Sequence, residues 1–432
     1  MSHKKRLCLI ARCILPVRSP PIENGFILIE GDKILDVGQK TELNYLRNSS
    51  DCRFIDCGES VILPSLINSH AHLDYTHFAG KIPPVDSFSQ WIQSIIKEKK
   101  AFAGYSESWI EGAGMLLSSG AGFIGNIESI PSLLYEVWEK TPLKILSFLE
   151  IIDLKYRHNS DWLNKYETLI EGLLRLKTKT KSIGLSPHSL YSTTPDLLSD
   201  CFKLAKKYNL PVSIHIAESE EEYEMFKHKK GALYEWLKDA GRDMSDCGAG
   251  SPVKTLFWND NTPAGLILAH CNYIDEEDIQ IIKKRGASVV HCPSSFIYFG
   301  HKDFKCDLLL NSGVNVCLGT DSLASANADG CEKPELNMFN EMRNFSEKFC
   351  NVSPRQIIEM ATINGAKAVN MSGRIGELAS GAKADLIGIP FEERVENVYE
   401  TIVNFSGNIL FSLIDGEAVY CDKAFFRDFN YE

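Results

Sequence analysis

The chain carries little of what marks a secreted, membrane-spanning or nucleic-acid-binding protein. Its 13 cysteines are scattered over 432 residues without a CxxC pair. That spacing argues against a zinc ribbon and reads as reduced thiols, not as a disulfide framework. Positive charge is in deficit: 46 Lys and Arg stand against 57 Asp and Glu, a net charge of −11. Neither nucleic acid nor an anionic membrane is therefore expected as the main partner. No uninterrupted apolar run approaches the roughly 20 residues that cross a bilayer. The start, MSHKKRLCLIARCIL, has a basic and then an apolar stretch, but Arg12 interrupts it and residues 16–24 read as a turn. A first β-strand is expected there, not a signal peptide, and the location is expected to be cytoplasmic. Low-complexity segments and long linkers are also missing. With 44% hydrophobic residues, the chain can bury one large core or two.

Two textures alternate along the sequence. Residues 1–60 read as short strands and turns: LCLIARCIL, then GFILIEGDKILDVG with a hairpin signal at Glu30-Gly31-Asp32, then CRFIDCGES. From residue 61, apolar strands alternate with amphipathic helices. The eight strand-like segments are VILPSLINS, AGFIGNI, KILSFLEII, KSIGLSPHS, LPVSIHIAE, GLILAHCN, ASVVHCPSS and VNVCLGTDS. Eight βα repeats of this kind predict a (β/α)8, TIM-like barrel over residues 61–374, with its active site at the C-terminal strand ends. After residue 374 short strands return. Residues 1–60 and 375–432 are thus expected to form one small composite β-domain, a β-sandwich, beside the barrel.

The chemistry is concentrated where those apolar runs end. His70 and His72 follow VILPSLINS, His215 follows LPVSI and Asp321 follows VNVCLGT. Alternate residues of a strand point the same way, so His70 and His72 can grip one ion together. Imidazoles plus one carboxylate suit zinc, with room for a reactive water. His188, Glu218, His270 and His291 recur at other strand ends and strengthen the reading. For Asp321, a helix N-cap is the competing role.

The segments LPSLINSHAHLD, SIHIAESEEE, LAHCNYID, GTDSLASANAD and ATINGAKAVN…GRIGELASGAKADLI resemble the amidohydrolase superfamily, in its aminohydrolase and chlorohydrolase branch. The likeness runs over nearly the whole chain. It implies one divalent metal, zinc or iron(II), on His70, His72, His215 and Asp321, with Glu218, His270 and Asp321 in catalysis. HLDYTHFAG…FSQWI and HCPSSFIYFGHKDF are similar to the aminodeoxyfutalosine deaminases of the futalosine route to menaquinone, except at Ser295-Phe296. The implied reaction converts 6-amino-6-deoxyfutalosine to futalosine and ammonia.

Hydrolysing an aromatic C–NH2 bond at neutral pH needs an activated water, and a bound metal lowers the pKa of water from 15.7 to about 7. Glu218, three residues past His215, is placed to move that water's proton to a ring nitrogen. The bland alternative is a first-turn helix charge, the role expected for Glu220 to Glu222. His270 would bond the attacking oxygen. In the resembling nucleoside deaminases the histidine matching His188 touches the purine. Trp91 and Ser325 are further candidates for substrate contact, with core packing and loop capping as their alternatives. The roles of His291 and His301 are open. A second metal would need a bridging Lys or Glu at the end of strand four. Pro187-His188 stands there and Lys181 lies at the other end, so one metal is expected. Lys81 and Arg157 are candidate partners for a substrate carboxylate, with solvated surface as the competing role. A homodimer is compatible with this reading. Rival functions are methylthioadenosine or S-adenosylhomocysteine deamination, guanine deamination, triazine dechlorination, and a non-catalytic assembly barrel.

Overall fold

The computed structural model describes residues 6–45, 51–83, 85–258, 262–302, 304–326 and 333–422. Its first strands are β1 (Arg6–Ile14), β2 (Ile22–Glu30), β3 (Lys33–Gln39), β4 (Cys52–Asp56) and β5 (Ser60–Pro64). The expected hairpin joins β2 to β3, which pair through Glu30↔Lys33. Gly31 takes φ +59° in its turn, a conformation that costs a residue without Cβ little. The eight apolar segments of the repeat then appear in order. They are β6 (Leu66–Ala71), β7 (Ala121–Glu128), β8 (Lys144–Ile151), β9 (Lys181–Pro187), β10 (Ser213–Ile216), β11 (Ile267–His270), β12 (Ser288–His291) and β13 (Asn315–Leu318). Last come β14 (Leu386–Pro390), β15 (Phe411–Ile414) and β16 (Glu417–Cys421).

Three sheets result. One is eight-stranded, in the order β16-β15-β14-β5-β1-β2-β3 with β4 also on β1, and draws strands from both terminal segments. The other two are four-stranded, β6-β7-β8-β9 and β10-β11-β12-β13. β8 and β9 run parallel, as do all four strands from β10 to β13. Single parallel bridges add Leu185↔Val212, Ser189↔His215 and Ala71↔Asp321. β10, β11 and β12 are buried at every residue, as parallel strands covered on both faces must be, which is why their sequences are continuous apolar runs.

VILPSLINS, expected as one strand, is two. β5 joins the terminal sheet and β6 opens another, with the break at Ser65. Ser65 N–H donates to the Asp385 carbonyl, Leu66 N–H to Gly120 and Ile67 N–H to Ala361, so consecutive residues are claimed by three different segments. By compactness the chain divides into a unit of Met1–Asn68, Gly114–Ile124 and Asn337–Glu432, and a unit of Ser69–Ala113 and Gly125–Leu336. Every candidate site residue lies in the second. All cysteines among the described residues are free thiols.

Candidate active site

The strand ends place the site. His70 and His72 sit two residues apart at the end of β6, and both are buried. Past β10 the backbone turns at Ala217, φ +50°, and delivers Glu218. His270 closes β11 at φ +73°, and Asp321 stands three residues beyond β13 at φ +56°. A non-glycine residue in the left-handed region costs on the order of 1–3 kcal/mol, and such strain collects at functional sites. Two of the expected site residues carry it themselves, and a third follows directly on one. Gly319 serves close approach: a Cβ there would lie 2.7 Å from the His70 carbonyl oxygen. Its absence lets Asp321 N–H donate to His70 O at 3.0 Å and His72 N–H to Asp321 O at 3.3 Å.

Five buried side chains converge there. His72 Nε2 is 3.1 Å from His215 Nε2, and Asp321 Oδ1 is 3.5 Å from both His70 Nε2 and His72 Nε2. Atoms bound to one tetrahedral metal at about 2.0–2.2 Å lie roughly 3.3–3.6 Å apart, so the two Asp321 separations match one ion and the His72–His215 pair is about 0.2 Å closer than that range. Ligand atoms of His70, His215, His270 and Asp321 also lie within 4.8 Å of one another. The donor set fits as well. His215 Nδ1 is 2.8 Å from the His188 carbonyl, which can only accept. Nδ1 therefore carries the proton and Nε2 offers its lone pair to the centre. Burial, with the neighbouring His70 and His188 respectively, holds His72 and His215 well below the usual histidine range. Both imidazoles are neutral, as ligands must be. Burial alone would raise the Asp321 carboxyl, but the His70 hydrogen bond and the facing His270, His72 and His70 overcome it and hold it low.

Glu218 faces this cluster. Its Oε1 is 3.7 Å from His270 Nε2, and its side chain is almost wholly buried. Burial, then Asp321 and Glu222, push its carboxyl well above the usual range. His270, by contrast, is pushed down to about 3 by burial, so it is a neutral imidazole. Glu222 is more than a first-turn charge. It is buried, its Oε2 accepts the Glu218 N–H at 2.9 Å, and burial raises its carboxyl to about 7. Ser219 caps the helix Glu220–His228 that carries it.

A cavity of about 190 Å³ opens on the cluster, lined by His72, His215, Glu218, His270 and Asp321. His188 and Trp91 line it too. Trp91 Nε1 is tied to the Ala324 carbonyl at 3.4 Å. Ser325 is not on the lining; its hydroxyl donates to Ser322 O at 3.0 Å and sits 3.5 Å from Asp321 Oδ2, while Ser322 faces the cavity. Neither His291 nor His301 lines it. His291 stacks on Phe304 at 4.0 Å and meets the edge of Phe296, whereas His301 bonds the Tyr273 hydroxyl. Lys81 pairs with Glu98, and Arg157 with Asp243, and both stand off the lining. Lys181, at the far end of β9, donates to the carbonyls of Thr141 and Leu143.

Three residues that sequence reasoning passed over belong here. Lys99 and Glu150 both line the cavity, 3.7 Å apart, Lys99 from the helix α1 (Phe88–Ala101) and Glu150 from the end of β8. Asn126 Oδ1 accepts the N–H of Leu73 at 2.9 Å and so fixes the backbone directly after His72. Glu150 had a legible signal, a charge closing the apolar run KILSFLE; Lys99, in a run of lysines, had none.

Known proteins share this architecture. The chain is 28% identical over 419 residues to a 5′-deoxyadenosine deaminase of Methanocaldococcus jannaschii, covering 92% of this chain and 91% of that protein. It is also 28% identical, over 390 residues, to a 5-methylthioadenosine/S-adenosylhomocysteine deaminase of Syntrophobacter fumaroxidans, covering 86% and 83%. The crystal structure of Helicobacter pylori aminofutalosine deaminase with methylthio-coformycin superposes with a TM-score of 0.83 at 22% identity, over 96% of this chain and all of that one. The amidohydrolase family model matches residues 61–419, and with His70, His72, His215 and Asp321 gathered at the strand ends, the chain belongs to the amidohydrolase family.

Proposed function

We propose that the protein is a metal-dependent hydrolytic deaminase of a 6-aminopurine nucleoside. The observation that carries this reading is the buried convergence of His70, His72, His215 and Asp321 beside Glu218, at the mouth of a largely apolar cavity. His70, His72, His215 and Asp321 would hold one divalent ion, with zinc favoured by the nitrogen-rich set. His270, whose Nε2 lies 3.7 Å from Glu218 Oε1, is assigned to the substrate. When bound, the metal supplies a water acidic enough to attack at neutral pH.

The chain's own groups do the rest. Glu218 takes the proton of the attacking water and delivers it to N1 of the purine as the oxygen bonds to C6. His270, neutral and therefore still able to donate, bonds the oxygen that gains charge on C6. Asp321 accepts the oxygen's remaining proton and passes it to the amino group. The C6–N bond then breaks, ammonia leaves, and the 6-oxopurine remains. His188 contacts a ring nitrogen and Trp91 covers the base, both from the cavity lining.

For the substrate, we favour 6-amino-6-deoxyfutalosine, which would place the enzyme in menaquinone biosynthesis. Support comes from the segments HLDYTHFAG and HCPSSFIYFGHKDF, and from Lys99, a cation at the cavity in place of Lys81 and Arg157. The aliphatic wall of Ile92, Ile95, Ile96, Ile152 and Leu154 suits an aryl 5′ extension equally with a thioether or a deoxy carbon. The 28% identity to 5′-deoxyadenosine and methylthioadenosine deaminases favours those smaller substrates as the second reading. The site is read as the C-terminal mouth of a (β/α)8 barrel over 61–374, which the bridges at Ala71↔Asp321 and Ser189↔His215 would close, with 1–60 and 375–432 as a small β-domain. The test compares kcat/KM for aminodeoxyfutalosine, 5′-deoxyadenosine, methylthioadenosine and guanine on one preparation. A tenfold advantage of methylthioadenosine or 5′-deoxyadenosine transfers the assignment to that substrate, and turnover of guanine alone removes the nucleoside reading.

A further inference from the structure

We propose that Glu150 is the sugar anchor of this site, its carboxylate accepting hydrogen bonds from the vicinal 2′- and 3′-hydroxyls of a ribonucleoside. The proposal rests on the nucleoside-deaminase reading and names the group that makes the site select a nucleoside over a free base. Glu150 ends β8 on the cavity lining with a side chain only 6% exposed. Its oxygens face two polar side chains at distances beyond a hydrogen bond: Oε2 is 3.7 Å from Lys99 Nζ, and Oε1 is 4.0 Å from His188 Nε2. Among the described residues these are its two basic neighbours, and neither is within hydrogen-bond distance. Ion-paired with Lys99 but hydrogen-bonded to neither neighbour, this cavity-facing carboxylate has acceptor sites open to a ligand that supplies two donors. Vicinal ribose hydroxyls are such a ligand, and acidic residues hold ribose hydroxyls in dinucleotide sites by the same chemistry.

The surroundings fix the order of groups. Lys99 is tethered beside Glu150, its ammonium donating to the Tyr75 hydroxyl, and balances the carboxylate's charge. On the other side, the His188 ring lies 4.6 Å from the ring of His215. His188 thus stands between the metal-ligand cluster and Glu150. A purine whose C6 meets the cluster and whose ring nitrogen meets His188 brings its sugar toward Glu150. His188 Nδ1 is engaged by the Ser192 hydroxyl at 2.8 Å, which holds the ring in this orientation.

The experiment measures deamination of adenosine and of 2′,3′-dideoxyadenosine by the zinc-loaded wild type and by Glu150→Leu. A hydrogen-bonded pair to a charged group sets the scale. The wild type is expected to prefer adenosine by at least about tenfold in kcat/KM, chiefly through KM. Glu150→Leu should keep its metal and bring the two substrates within about threefold of each other. Should that variant fail to fold, Glu150→Gln, which keeps one acceptor oxygen, is expected to give an intermediate ratio. Equal turnover of both nucleosides by the wild type, or a Glu150 variant that keeps the full preference, overturns the proposal while leaving the deaminase reading intact. No turnover of adenosine, 5′-deoxyadenosine, methylthioadenosine or aminodeoxyfutalosine by the zinc-loaded wild type removes both.

Discussion

Replacing Glu218 by Gln separates its chemistry from its place in the fold. What positions residue 218 is its backbone: Glu222 Oε2 accepts its N–H at 2.9 Å, and Asn272 Nδ2 donates to its carbonyl at 3.0 Å. Neither bond uses the carboxylate. The amide has the same shape and relieves the burial and the repulsion from Asp321 and Glu222 that push the Glu218 carboxyl up. The variant should therefore fold, melt no lower than wild type and keep its metal. It cannot accept the proton of the attacking water, and a general acid–base group contributes about 10²–10⁴-fold. That corresponds to roughly 3–5 kcal/mol in the barrier. Ammonia release at saturating nucleoside, with metal content measured on the same sample, reads both quantities. A variant within threefold of the wild-type rate would refute a proton-transfer role. Loss of metal together with activity would make Glu218 part of the metal site instead.

Asn126→Ala leaves the buried Leu73 N–H without its acceptor, which should cost about 1–3 kcal/mol. It should also loosen metal binding about 10–100-fold, since the bond steadies His72; a chelator competition checks this. Gly319→Ala would place a methyl 2.7 Å from His70 O and 2.9 Å from His70 Cβ, so lost metal together with a lower Tm is expected in elemental analysis and calorimetry. Glu128 gives a pH signature. Burial raises its carboxyl from 4.5 to about 8, although Ser147 and Trp109 donate to it at 2.6 and 3.1 Å. The folded protein then holds a proton that the unfolded chain has released, so this contribution is complete below pH 4.5 and is lost as pH rises through 8. Tm should fall between pH 5 and 8.5, and Glu128→Gln should flatten that slope; an unchanged slope contradicts it.

The repeat of strands was legible because parallel strands buried on both faces leave continuous apolar runs, and each of the eight segments holds a strand. The clustered histidines and Asp321 were legible because a polar residue closing such a run is out of place in a core. The break at Ser65 had a signal in Pro64, which cannot donate to a ladder, but which segments take the neighbouring N–H groups follows from residues far apart in sequence. For Ser325 the sequence left substrate contact and loop capping open. Proximity to Asp321 in sequence says which loop it shares but not which way its hydroxyl points, and it bonds the loop's own carbonyl. Glu150 closes KILSFLE just as His215 closes LPVSI, but a lone carboxylate there has no metal-ligand spacing to single it out. Lys99 and Asn126 act through partners 51 and 53 residues away, Glu150 and Leu73, which single-sequence periodicity does not reveal.

One titration tests the metal site most directly: ammonia release from an adenosine nucleoside by metal-stripped protein as zinc is added back. His70, His72, His215 and Asp321 form one site, so the rate should start near zero, rise linearly and break at one equivalent per chain. Full activity without metal, or a break at two equivalents, would contradict it.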